Sequence, residues 1–183
     1  MAARGGTPGR ARRVIAWPLL FALTMPPEAP ADREARVALI RESAAEAARQ
    51  EGVRGLPVPV ESFRRLLWVI GRTESGDWSL AVHAGQPGRG GALCLWQIDP
   101  GAFGVVRKIM AEGPLVGTDA AATSRCARTG ARVLAVSLKY CWKRGWRTHW
   151  MAAASMKYGT KRSCRPAVWA RKRANRAREM PGR

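Results

Sequence analysis

Acidic residues are scarce in this chain: 13 Asp and Glu stand against 32 Lys and Arg in 183 residues, a formal net charge of +19. Such a field draws anionic polymers and is screened by salt, so nucleic acid, an anionic membrane and bacterial cell wall all qualify as partners. The basic residues are nearly all Arg and are spread along the chain. The compact, aromatic-interleaved basic region of a sequence-specific nucleic-acid binder is therefore missing. No internal repeat occurs, and the length suits one domain that buries roughly two-thirds of its unfolded surface. Cysteine is absent from the first half, and Cys94, Cys126, Cys141 and Cys164 form no CxxC or CxxH pair, which argues against zinc. No other metal and no cofactor is called for. The two histidines, His83 in a turn and His149 beside tryptophans, have no partner that the sequence identifies and read as structural.

No apolar run is long enough to span a bilayer. The longest, "VIAWPLLFALTM" at 14–25, follows Arg4, Arg10, Arg12 and Arg13 and precedes "PPEAPA", whose Ala29 and Ala31 would suit cleavage before Asp32. Residues 1–31 thus read as a signal peptide, interrupted by Pro18, or as a disordered or membrane-lying arm. Residues 32–183 form the domain, which would be secreted or periplasmic, with no integral membrane span, and monomeric.

An even number of cysteines in an exported chain suggests two bridges. Cys126, Gly130, Val133, Leu134, Ser137 and Cys141 recur on one helical face. Residues 15 apart on a helix are about 22 Å apart along its axis, beyond the roughly 7 Å a disulfide allows, so Cys126 and Cys141 do not join each other. Two connectivities remain: 94–126 with 141–164, or 94–141 with 126–164.

Helix formers closed by Gly52 predict a helix over 33–50. Phe63, Leu66, Leu67 and Ile70 at i, i+3, i+4 and i+7 predict an amphipathic helix, and one further turn of its stripe reaches Glu74. The glycines from Gly76 to Gly91 imply irregular turns, and "ALCLWQI" reads as a short buried strand or extended segment. Asp99 and Pro100 open another helix, a long one covers about 119–144, and two more follow after Gly145, the last of them basic. The expected fold is mostly α, a helical domain with a small β element inserted after the Glu74 helix.

A carboxylate ending an apolar stripe and facing a core is desolvated, which raises its pKa and suits a general acid. Glycoside cleavage needs such an acid, and most glycosidases add a second carboxylate, for which Asp77 or Asp99 would serve. The simpler reading is a buried Glu paired with an Arg.

The segment "ESGDWSLAVHA", its Gly-rich turn and "GALCLWQIDPGAF" resemble the Glu-Ser-x-Phe-x-x-x-Ala and Gly-x-x-Gln-Ile-x-Pro pattern of the soluble lytic transglycosylases, relatives of goose-type lysozyme. Downstream, "CARTGARVL" resembles that family's Asn-Ile-x-x-Gly-x-x-Tyr-Leu helix, and "MAAASMKYGT" its Ala-Ala-Tyr-Asn-Ala-Gly segment. The four blocks keep their order over about 61–164. Trp78 stands where the family has Phe, Trp96 where it has Met, and Cys126 where it has Asn. In the last block either Met156 or Tyr158 takes the aromatic position; Tyr158 is chosen because a hydroxyl can hydrogen-bond at the reacting centre. The four cysteines also resemble those of small disulfide-bearing lysozyme-like proteins of bacteria and phages.

The resemblance implies an α+β lysozyme-like fold and a lytic transglycosylase acting on peptidoglycan glycan strands, and the net charge adds anionic wall polymers as further partners. Glu74 would be acid and then base, Ser75 would bond near it, Trp96 would wall the cleft, Gln97 would hold the sugar and Tyr158 would orient the substrate's acetamido group. Two rivals stand beside it. One is a lysozyme-type hydrolase of the same fold. The other is an inactive basic protein, such as a phage structural component, that binds glycan or nucleic acid.

Overall fold

The protein is described here by a computed structural model, which covers residues 27–52 and 54–143. Among these residues the α-helices are α1 (Pro30–Gly52), α2 (Val60–Glu74), the single turn α3 (Leu80–His83), α4 (Phe103–Met110) and α5 (Ala120–Lys143). Tight 3-10 turns occur at Arg89–Gly91 and Pro100–Ala102.

The long helices fall where they were expected, α1 from its helix formers and α2 and α5 from their apolar spacing. On α1 the buried set is Arg36, Ile40, Ala44, Ala47, Ala48 and Glu51, one stripe at three- and four-residue intervals. On α2 it is Phe63, Leu66, Leu67, Val69, Ile70 and Gly71. Helix α5 is buried on most of its circumference, with Ala122, Cys126, Ala127, Ala131, Val133, Leu134, Ala135 and Leu138 all nearly inaccessible. Its arginines, among them Arg125, Arg128 and Arg132, keep to the remaining face, as a helix with one wide buried side requires. Its most extensive partner is α1, and α2 and α4 also pack on it. The many alanines on α1 and α5 let helix axes approach closely.

The Asp99–Pro100 start forms as the residues dictate. Asp99 caps the turn by accepting a hydrogen bond from the Gly101 amide at 2.7 Å, and Pro100 occupies a first-turn position that needs no N–H donor.

The expected small β element does not form among the described residues. Leu93 and Ile98 make one isolated antiparallel bridge, with N···O distances of 3.0 and 2.8 Å, around a turn at 94–97. Cys94 and Gln97 take φ of 60° and 48°, left-handed values that an extended strand cannot contain. The segment "ALCLWQI" is a pinched loop instead.

Of the two disulfide connectivities, the Cys94–Cys126 bond selects the one pairing those residues. The side chain of Cys141, all of Cys164, and the two helices expected after Gly145 lie outside the described residues, as do Tyr158 and His149. Helix α1 starts at Pro30, ahead of the expected cleavage point, and Glu28 makes a two-pronged ion pair with Arg36 at 2.6 and 2.7 Å. A cut before Asp32 would remove the carboxylate that pairs with the buried Arg36.

Candidate active site

Glu74 is the last residue of α2 and is half-buried. The helix ends in a Schellman motif: the Asp77 amide donates to the Arg72 carbonyl at 2.8 Å and the Gly76 amide to the Thr73 carbonyl at 3.4 Å. Gly76 takes the left-handed φ of 67° that this ending needs. Unusually, the left-handed conformation continues through Asp77 at 60° and Trp78 at 63°. For residues with a Cβ this costs about 1 to 2 kcal/mol each, and surrounding contacts must hold it.

Those contacts are present. The Ser75 hydroxyl oxygen accepts from the Trp78 amide at 2.9 Å, and Ser75 is 1% exposed. Ser75, expected to bond near Glu74, serves as the clasp of the turn. The Asp77 carboxylate lies between Arg72 Nε at 2.5 Å and an Arg33 guanidinium nitrogen at 3.2 Å. Arg72 chiefly, with Arg33, holds its pKa below the ordinary aspartate value. The buried Arg36 donates to the Trp78 carbonyl at 2.9 Å. Three arginines therefore fasten the turn after Glu74, and no spacing in so Arg-rich a chain singles them out.

The pinched loop packs behind the same helix. Trp96 is fully buried, and its indole N–H donates to the Leu67 carbonyl at 2.8 Å. A Cβ built on Gly71 would fall 2.7 Å from the Trp96 ring, and one built on Gly130 would fall 2.6 Å from it. Trp96 is thus a wedge between α2 and α5, fitted at two positions that only glycine leaves open. It was expected on the cleft wall; its place is inside the core, one turn before Glu74. Gln97 is half-buried, and its side-chain amide donates to the Cys94 carbonyl at 2.9 Å while its oxygen fills the space over Gly88. Its carboxamide is turned onto its own loop. Cys94 fastens this loop to α5 through Cys126, and the Leu95 amide points at the Cys126 sulfur at 3.2 Å.

Tryptophans continue from the wedge. Trp78 meets Trp96 at 5.8 Å between ring centroids and Trp68 at 4.5 Å, and the Arg41 guanidinium stacks over Trp68 at 5.5 Å. Trp78 Nε1 is the buried side-chain donor that lacks a partner among the described residues. Strain and an unmet donor therefore both fall in the turn that follows Glu74, the sort of place where functional sites lie.

His83 is held as a neutral ring. Thr123 Oγ1 gives its proton to the Asp119 carbonyl at 2.8 Å, so it must accept from His83 Nε2–H, also at 2.8 Å. Nδ1 then faces an Arg36 nitrogen at 3.5 Å as an acceptor. Burial first, and then the Arg36 charge, push the His83 pKa down to about 4. Because the unfolded chain takes up this proton near pH 6.5, stability is intact above that value and falls as pH drops toward 4. The loss should amount to about 3 kcal/mol. Urea unfolding at pH 7 and pH 4, wild type beside His83→Gln, separates this share from that of the ion-paired carboxylates, and the variant should show the smaller loss; an NMR titration placing His83 near 6.5 would refute the buried network.

The two candidate second acids are both engaged elsewhere, Asp77 by its arginines and Asp99 by its cap. Among the described residues no group of His, Cys, Asp and Glu is arranged to hold a metal, and no helix is long and apolar enough to cross a membrane. No family model matches the chain, and neither a curated protein nor a solved structure matches it significantly.

Proposed function

We propose that the protein is a peptidoglycan lytic transglycosylase with Glu74 as its general acid and base. The observation that carries this reading is the lock between its two most informative sequence blocks. The Glu74–Ser75 turn and the loop ending in "GALCLWQIDP" are joined through Trp96 and Gly71, three residues before Glu74. An acid at the end of a wedged and clamped helix is held in one place, which proton transfer to a glycosidic oxygen requires.

In this mechanism Glu74 protonates the oxygen bridging N-acetylmuramic acid and N-acetylglucosamine. The substrate's own acetamido group stabilises the cationic carbon as the bond breaks. Glu74, now a carboxylate, removes the proton of the sugar's 6-hydroxyl, whose oxygen closes the 1,6-anhydro ring. Water takes no part, and no second carboxylate is needed. Tyr158 orients the acetamido group and Gln97 holds the sugar, its carboxamide leaving Cys94 to do so. Ser75 and Trp96 act on position, through the turn and the wedge. Action on the wall requires export, with which the Cys94–Cys126 disulfide is compatible.

A water-using hydrolase of the same fold needs a free base opposite Glu74. Asp77, ion-paired twice and with its pKa lowered, makes a weak one. Mass spectrometry of a peptidoglycan digest tests the proposal: anhydro ends, one water lighter than hydrolysed ends, are expected. Reducing ends would point to the hydrolase, and no cleavage to the binding protein.

A further inference from the structure

Away from the Glu74 turn, a concave cavity of about 710 Å³ lies among α1, α4 and α5. Five cations, Arg54, Arg107, Lys108, Arg128 and Arg132, line it against two carboxylates, Glu51 and Glu112, leaving three positive charges in excess. The carboxylates serve as organisers. Glu51, 6% exposed, holds Arg54 at 3.3 Å and Arg132 at 3.2 Å, and Glu112 grips Arg128 with contacts of 2.6 and 3.0 Å. Three guanidiniums are thereby fixed in place, each with N–H groups to spare, since a guanidinium carries five. Arg107 and Lys108 have no ion-pair partner among the described residues and are exposed on α4. Such a groove suits an anionic chain, since guanidinium forks match phosphate and carboxylate oxygens.

Its walls say which chain. Among the described residues no aromatic side chain lines it; the uncharged lining is Ala47, Gln50, Gly104, Val105 and Ile109. Single-stranded nucleic acid is held by base stacking on aromatic rings as well as by charge, and the described lining of this groove offers no ring. A duplex does not enter a cavity of this size.

We propose that the groove binds a single-stranded polyol-phosphate polymer, with phosphates on the five cations and the polyol carbons against Val105 and Ile109. This site is independent of Glu74, so failure here leaves the catalytic proposal standing.

The test uses the purified full chain and a synthetic poly(glycerol phosphate), with affinity measured by calorimetry as salt is varied. If about three phosphates are neutralised, log K should fall with log salt at a slope of roughly −2. Arg107→Gln/Lys108→Gln should weaken binding about tenfold and flatten the slope by about 1.4, with the unfolding midpoint unchanged. A charge-matched control outside the groove, Arg64→Gln/Arg65→Gln, should change affinity by no more than about twofold. Equal losses in the two variants would show diffuse attraction to the net charge and overturn the proposal. So would no binding at all, or tighter groove-dependent binding of a single-stranded oligonucleotide with the same number of phosphates.

Discussion

Trp96→Ala should destabilise the protein by about 4 to 5 kcal/mol, at the upper end of what large-to-small core substitutions cost. The indole is fully buried, and its removal leaves a cavity between two helices and takes away the donor to the Leu67 carbonyl. The reciprocal change is more informative. Gly130→Ala places a methyl 2.6 Å from the ring, and moving the ring away would strain the bond from its indole N–H to the Leu67 carbonyl. Overpacking of this kind costs about 3 kcal/mol, although alanine is otherwise favoured over glycine inside a helix by about 1 kcal/mol. The sign should therefore depend on the wedge: Gly130→Ala destabilises the wild type and stabilises a Trp96→Leu background. Chemical denaturation of the four proteins closes this cycle. A Gly130→Ala effect that is the same in both backgrounds would show that the ring does not occupy the gap.

The wedge also explains which parts of the structure could be read from the chain. Helix α1 follows from its helix formers and closing Gly52, and α2 and α5 from the spacing of Phe63, Leu66 and Ile70 and of Cys126, Gly130 and Leu134, because burial on one face imposes that period. The Asp99 cap was legible because its chemistry is local. "ALCLWQI" was not, since an apolar run has no period to separate a strand from a loop. What decides is the left-handed backbone at Cys94 and Gln97 and the disulfide to a distant helix. Placing Trp96 on a cleft wall failed for a related reason: only Gly71 and Gly130, 59 positions apart, reveal the slot that takes its ring. The clamp on Asp77 and Trp78 was hidden by the abundance of arginine, from which sequence cannot select Arg33, Arg36 and Arg72.

The second large effect concerns Glu74. General acid–base catalysis contributes roughly 10²- to 10⁴-fold to rate, and here one residue is assigned both halves of it. Glu74→Gln keeps the shape and hydrogen-bonding capacity of the side chain but has no proton to give and no basic oxygen to take one back. Because Glu74 is half-buried at a helix end whose hold comes from Trp96, Ser75 and the arginine-clamped turn, the variant should still fold cooperatively, and its rate is compared with the wild type at equal folded concentration.

Release of 1,6-anhydro muropeptides from purified peptidoglycan, wild type beside Glu74→Gln at equal folded concentration, is the most direct measurement of this account. The wild type should produce anhydro ends, and the variant should produce them at least about 100-fold more slowly. Equal rates from the two proteins, or no anhydro product from either, would contradict it.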